Sequence, residues 1–186
     1  MTSKRSLALR QSFAALAAAA LFAACADGGP LDSRPASPAY SQLPDLGSCT
    51  AVQVPAGSKL SFHAYATGVQ IYTWTGTSWR FVAPSADLFA DAGGNGLVGT
   101  HFAGPTWLTL SGSSVVGTVT GRCPSAGTID WLRLDAVADG PGVFAHTAYI
   151  QRVNTTGGTA PTSPGSFVGE EVSVPYTAEY YFYRAP

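Results

Sequence analysis

From Leu60 onward the chain alternates. Leu60, Phe62, Ala64 and Ala66 take turns with Ser61, His63 and Tyr65, and a two-residue apolar period is the mark of a strand with one buried face. A turn at Thr67-Gly68 is predicted to close this segment before Val69–Trp74 continues. Thr75-Gly76-Thr77-Ser78 then separates Trp74 from Trp79, and Trp79-Arg80-Phe81-Val82 resumes the pattern, which reads as a hairpin with a four-residue loop. Further strands are predicted over 86–91, 97–103, 106–111, 114–121, 128–136, 143–153 and 172–183. Turn residues lie between several of them: Gly93-Gly94-Asn95-Gly96, Ser111-Gly112-Ser113, Pro124-Ser125-Ala126-Gly127 and Asp139-Gly140-Pro141-Gly142. From Cys49 on, no stretch repeats apolar residues at helical spacing. Short strands with regular turns predict a single all-β domain, either an antiparallel β-sandwich or a closed barrel.

The N-terminus follows another rule. Lys4, Arg5 and Arg10 precede an unbroken apolar run from Phe13 to Ala24. Twelve helical residues reach about 18 Å, short of a bilayer core of roughly 30 Å. A basic segment before a short apolar one reads as a signal peptide over 1–24. Leu21-Phe22-Ala23-Ala24-Cys25 resembles a bacterial lipobox, with Phe22 departing from the usual leucine; Ala24-Cys25-Ala26 alternatively suits ordinary signal peptidase. Lipidation of Cys25 is the preferred reading, because it accounts for the odd one of three cysteines. Residues 25–48, rich in Gly, Pro, Ser and Asp, then form a lipid-anchored flexible tether to a domain at 49–186. The expected location is the outer membrane or cell surface, or the periplasm or medium if the anchor is absent. The lipid is the expected contact with the membrane.

Composition narrows the classes. Apolar residues make up 46% of the 186 and charged residues 11%, which excludes a disordered chain. The net charge of −1 provides no basic field, so no nucleic-acid partner is expected. In an exported chain Cys49 and Cys123 are expected to pair as a disulfide.

Chemical motifs are weak. Gly94-Asn95-Gly96-Leu97-Val98-Gly99 matches the dinucleotide fingerprint, but Pro105 stops any helix after it. No acid occurs between Asp91 and Asp130 to hold a ribose. An NAD-dependent dehydrogenase is therefore disfavoured and no cofactor is expected. His63, His101 and His146 lack metal-ligand spacing, so no metal is expected either. Gly165-Ser166-Phe167-Val168-Gly169 places its serine one position early for a nucleophile elbow. Glu170-Glu171 are neighbours that a strand would point to opposite faces. The aromatic residues carry the best hint. Tyr72, Trp79, Trp107 and His101 are the candidate ligand-binding residues, with the turn from Thr100 to Trp107 as the centre of any site. Gly104-Pro105 makes that turn stiff, and a stiff loop presenting His and Trp is preorganised for binding.

Five blocks carry a family resemblance: Gly68–Tyr72, Phe81–Pro84, Val98–Trp107, Tyr149–Thr155 and Val174–Tyr183. Through them Val54–Arg184 resembles the domain of unknown function 3455, found in exported bacterial and fungal proteins. The resemblance implies secretion and an uncharacterised activity, and provides no catalytic residues to carry over. A malate dehydrogenase label attaches to some relatives; the failed dinucleotide fingerprint lends it no support. Two functions remain. One is a non-catalytic envelope lipoprotein binding a glycan or small amphipathic ligand through exposed aromatics. The other, less favoured, is a secreted enzyme with His101 as general base or metal ligand. A concave pocket shared by His101 with Glu179, Arg152 or another histidine would favour the enzyme.

Overall fold

A computed structural model describes residues 43–186. The signal-peptide region, Cys25 and most of the predicted tether lie outside the described residues. Eight strands follow in chain order: Lys59–Trp74 (β1), Trp79–Phe89 (β2), Leu97–Phe102 (β3), Thr106–Thr109 (β4), Ser114–Cys123 (β5), Trp131–Asp139 (β6), Thr147–Gly157 (β7) and Glu171–Arg184 (β8). Each pairs antiparallel with the next, and β1 pairs with β8 from Lys59–Arg184 to Thr73–Glu171, which closes the sheet into a barrel. The all-β expectation holds, and of its two forms the barrel is the one adopted. Among the described residues the sole helical element is a single 3-10 turn at Thr50–Val52.

Two predicted breaks are absent. The chain does not turn at Thr67-Gly68; β1 runs through, with Gly68 opposite Ala86 on one side and Tyr176 on the other. A Cβ at Gly68 would run into the Ser85 carbonyl oxygen and the Ala86 Cα, so this glycine marks a close approach of two backbones. Strand β2 likewise continues through Pro84, which pairs with Gln70 of β1. Pairing of β2 with β3 begins only at Ala86, so Pro84 lies where β2 has a single neighbour and a missing N–H is tolerated. In β6 and β7 the strands start later than predicted, at Trp131 and Thr147. The residues released, around 128–130 and 143–146, form connections at opposite ends of the barrel.

Inward positions follow the two-residue period. Ala64, Ala66, Leu88, Val115, Leu134, Ile150, Ala178 and Phe182 form the buried interior. One end is plugged by Phe144, which comes from the β6–β7 connection and is fully buried. Its ring lies 4.6 Å from Phe182 and 5.5 Å from Phe62, and its backbone N–H donates to Ser113 Oγ at 3.1 Å. Phe144 thus fills this end of the barrel.

The N-terminal segment straps the outer wall. Cys49 and Cys123 are bonded, with Cα atoms 5.6 Å apart, inside the ordinary range for a disulfide. Val52 is buried, and its carbonyl accepts from Gln151 Nε2 at 2.7 Å. Gln151 Oε1 in turn accepts from the Tyr183 hydroxyl at 2.7 Å. Leu46 and Val54 pack beside Val153, Tyr181 and Tyr183. Leu46 belongs to the stretch predicted as tether, and here it is half-buried against the wall.

Candidate functional site

An open cavity of about 530 Å³ occupies the end of the barrel opposite Phe144. That volume is in the range of small-molecule sites, and eight strands make a barrel just wide enough to hold one small ligand. The walls come from β1, β5, β6, β7 and β8, and the mouth from the β3–β4 turn, the residues before β6, the start of β2 and Thr159-Ala160.

His101 and Trp107 face each other across the β3–β4 pairing. Gly104 turns the chain between them with φ +110°, a conformation that favours glycine. The His101 ring stacks on the Trp107 indole at 4.3 Å and 11°. Its Nδ1–H donates to the Thr106 carbonyl at 2.9 Å, since a carbonyl can only accept. That bond fixes the tautomer and leaves Nε2 as the lone-pair nitrogen. Burial pushes the imidazole down to about 3, so it is neutral at physiological pH.

This shift sets an acid sensitivity. The unfolded chain takes up a proton at His101 near pH 6.5, and the folded barrel resists it down to about 3. Stability contributed at neutral pH is therefore lost as pH falls through that window, by about 1.4 kcal/mol per unit. Urea denaturation between pH 7 and about 4.5 checks it: His101→Gln flattens the slope relative to the parent protein.

Polar atoms in the interior stand out. Gln70, Trp107 and Tyr180 line this cavity, and their Nε2, Nε1 and hydroxyl are buried with no hydrogen-bond partner of good geometry. The Tyr176 hydroxyl, on the same face of β8, neighbours the Tyr180 hydroxyl and the Gln70 amide without a hydrogen bond of good geometry to either. Burial raises both tyrosine hydroxyls above their ordinary range, so both keep their protons. Arg152 lines the same cavity, half-buried, with Nε and Nη2 donating to the Asp130 carbonyl at 3.2 and 2.8 Å. Asp130's carboxylate lies 3.7 Å from Arg122 instead.

Three of the four candidate residues meet in this cavity. Tyr72 presents its ring there, its hydroxyl donating to the Gly158 carbonyl at 2.6 Å. His101 and Trp107 join it. Trp79 does not line the cavity: it packs on Trp74 at 5.4 Å, and its Nε1–H donates to the Ser163 carbonyl at 2.8 Å. The expected platform of exposed aromatics is not formed by Tyr72 or Trp107, which are buried and point inward. Arg152, expected only as a possible pocket neighbour of His101, does share the cavity with it, whereas Gln70 and Tyr180 were missed. The signal was phase: Gln70 sits two residues before Tyr72, and Arg152 two after Ile150, each a polar residue in the inward register.

The remaining motifs lie elsewhere. Gly94 and Gly96 both have positive φ in the β2–β3 turn, which opens into a strand. The three histidines do not converge. His146 is exposed in the β6–β7 connection, and His63 lies on the outer wall, its Nε2 3.0 Å from Glu179. Glu179 also accepts from Tyr181 at 2.7 Å and Asn154 at 3.0 Å. The His63 hydrogen bond leads in holding its carboxyl below the usual range, against burial. Among the described residues no group of three His, Cys, Asp or Glu side chains converges as metal ligands would.

The matching family model is "Protein of unknown function (DUF3455)", over residues 55–184, and the chain belongs to that family. Neither a curated protein nor a solved structure matches it. The family-matched segment contains all eight strands and the whole cavity.

Proposed function

We propose that this barrel is a non-catalytic binding module of the cell envelope that takes one small amphipathic ligand into its cavity. The observation that carries the reading is an open cavity of about 530 Å³ among whose lining residues Gln70 Nε2, Trp107 Nε1 and the Tyr180 hydroxyl are buried just behind the wall with no hydrogen-bond partner. An unmade buried hydrogen bond costs about 1–3 kcal/mol, and native interiors keep few of them. A ligand that accepts from these donors removes that cost. Around them the lining is largely apolar, with Tyr72, Pro84, Val119, Ile129, Leu132 and Leu134 among it. Such walls favour an amphipathic molecule over a glycan, whose many hydroxyls would outnumber the polar groups there.

Catalysis is the weaker reading. His101 does share a concave pocket with Arg152. An imidazole held near 3, however, is far from the operating pH at which a general base works best. The export reading is unchanged: Cys25 is proposed to carry the lipid, and the mature N-terminus seen by mass spectrometry is expected to be an acylated Cys25. An unmodified chain beginning at Asp27 would contradict the anchor.

Thermal denaturation of the purified protein with a panel of small amphiphiles and soluble glycans tests the binding reading. A ligand at a hundred times its Kd stabilises the folded state by about 2.7 kcal/mol. The expected result is stabilisation by amphiphiles and none by glycans. Stabilisation by glycans alone, or by nothing in the panel, contradicts it.

A further inference from the structure

The cavity contains a cation without a counter-ion. Among the described residues the ion pairs are His63–Glu179 on the outer wall and Arg122–Asp130 at the mouth. Arg122 and Asp130 cancel each other. Arg152 belongs to neither pair; two of its nitrogens are held by the Asp130 carbonyl, which carries no net charge. A half-buried guanidinium is costly to keep out of water unless an anion meets it. The neighbouring groups are donors as well: the Trp107 Nε1–H, the Gln70 amide and the protonated hydroxyl of Tyr180, whose residue pairs with Arg152 across β7 and β8.

Depth orders the rest. Trp107 and Tyr180 lie within 5.9 and 6.5 Å of Phe182, ring centre to ring centre, near the plugged end. Phe81 and Val82 line the cavity too, and they are about half exposed at its mouth. Trp107 and Tyr180 thus lie deep, and the rim offers the apolar surface of Phe81 and Val82 beside the Arg122–Asp130 pair.

We infer that the ligand is an apolar monocarboxylate bound head-first, with its carboxylate on Arg152, in front of the buried donors of Tyr180, Trp107 and Gln70, and its hydrocarbon body running out past Phe81 and Val82. A carboxylate offers two oxygens to a planar guanidinium and accepts from the other donors. One unbalanced positive charge matches one negative charge; a dianionic head would remain half uncompensated in the same space. This inference rests on the binding reading above and names the head group that reading leaves open.

The test holds the tail constant and changes the head. Decanoate, decanol and decylamine are titrated calorimetrically into the purified protein at pH 7.5. Hydrogen bonds to a charged group contribute roughly 1.5–3 kcal/mol, and 1.4 kcal/mol is tenfold in affinity. Decanoate is therefore expected to bind at least about tenfold tighter than decanol, with decylamine weakest. Arg152→Met is expected to abolish the preference for decanoate over decanol, and Arg152→Lys to restore part of it. Because Arg152 also holds the Asp130 carbonyl, Tyr180→Phe serves as a second variant, expected to weaken decanoate severalfold more than decanol. Equal binding of decanoate and decanol overturns the carboxylate inference and leaves the cavity-binding reading standing. Failure of all three to bind at millimolar concentration overturns both.

Discussion

Trp107→Ala is expected to lower the stability of the barrel by about 3–5 kcal/mol. The indole is almost fully buried. It stacks on His101 at 4.3 Å and meets the rings of Tyr180 and Phe182 edge-on at 5.2 and 5.9 Å. On the adjacent strand β5, Gly117 leaves the room it needs: a Cβ there would come within 3.1 Å of the indole Cζ3 and 2.9 Å of Leu134 Cδ2. Truncation removes the packing on all these sides at once. Against a typical domain stability of 5–15 kcal/mol, a loss of this size leaves a marginal fold. Trp107→Phe keeps an aromatic ring while removing Nε1–H and part of the indole's volume, so it is expected to cost less stability than Trp107→Ala. Urea denaturation of the three proteins measures the effect. A loss below about 1 kcal/mol for Trp107→Ala would show that the indole does not pack as described.

Breaking the disulfide is expected to cost a similar amount. Cys49 and Cys123 are separated by 74 residues. Closing a loop of that length restricts the unfolded chain by about 4 kcal/mol in the chain-entropy treatment. The bond also anchors the strap that buries Val52 and covers Val153, Tyr181 and Tyr183. Cys49→Ala with Cys123→Ala should therefore lower the denaturation midpoint sharply and speed exchange of the Gln151 side-chain amide, which donates to Val52. An unchanged midpoint would mean that strap and barrel are held by their other contacts alone.

Much of this fold was legible in the chain, because strand alternation is local. The Trp74–Trp79 hairpin, the glycine-rich turn before β3 and the inward row of β8 all follow from neighbouring residues. Closure did not follow, because it depends on Lys59 meeting Arg184, a pairing no local pattern encodes. Gly68 misled for a related reason: a glycine at a turn and a glycine under a crossing backbone look alike until the neighbour is known. The site was legible by half. The Thr100–Trp107 turn announced itself by composition, whereas Gln70 becomes conspicuous only once inward and outward registers are assigned. Trp79 shows the converse: an aromatic in a strand can serve a loop on the outside, here at Ser163.

The central claim is that binding happens inside the barrel and not on an aromatic surface. Indole N–H resonances of the protein labelled with nitrogen-15 test it most directly, because each of the four tryptophans reports separately. On titration with decanoate the Trp107 Nε1–H is expected to move, having no protein partner to leave. The Trp79 Nε1–H, bonded to Ser163, is expected to stay in place. Movement of Trp79 with Trp107 unchanged would contradict the account.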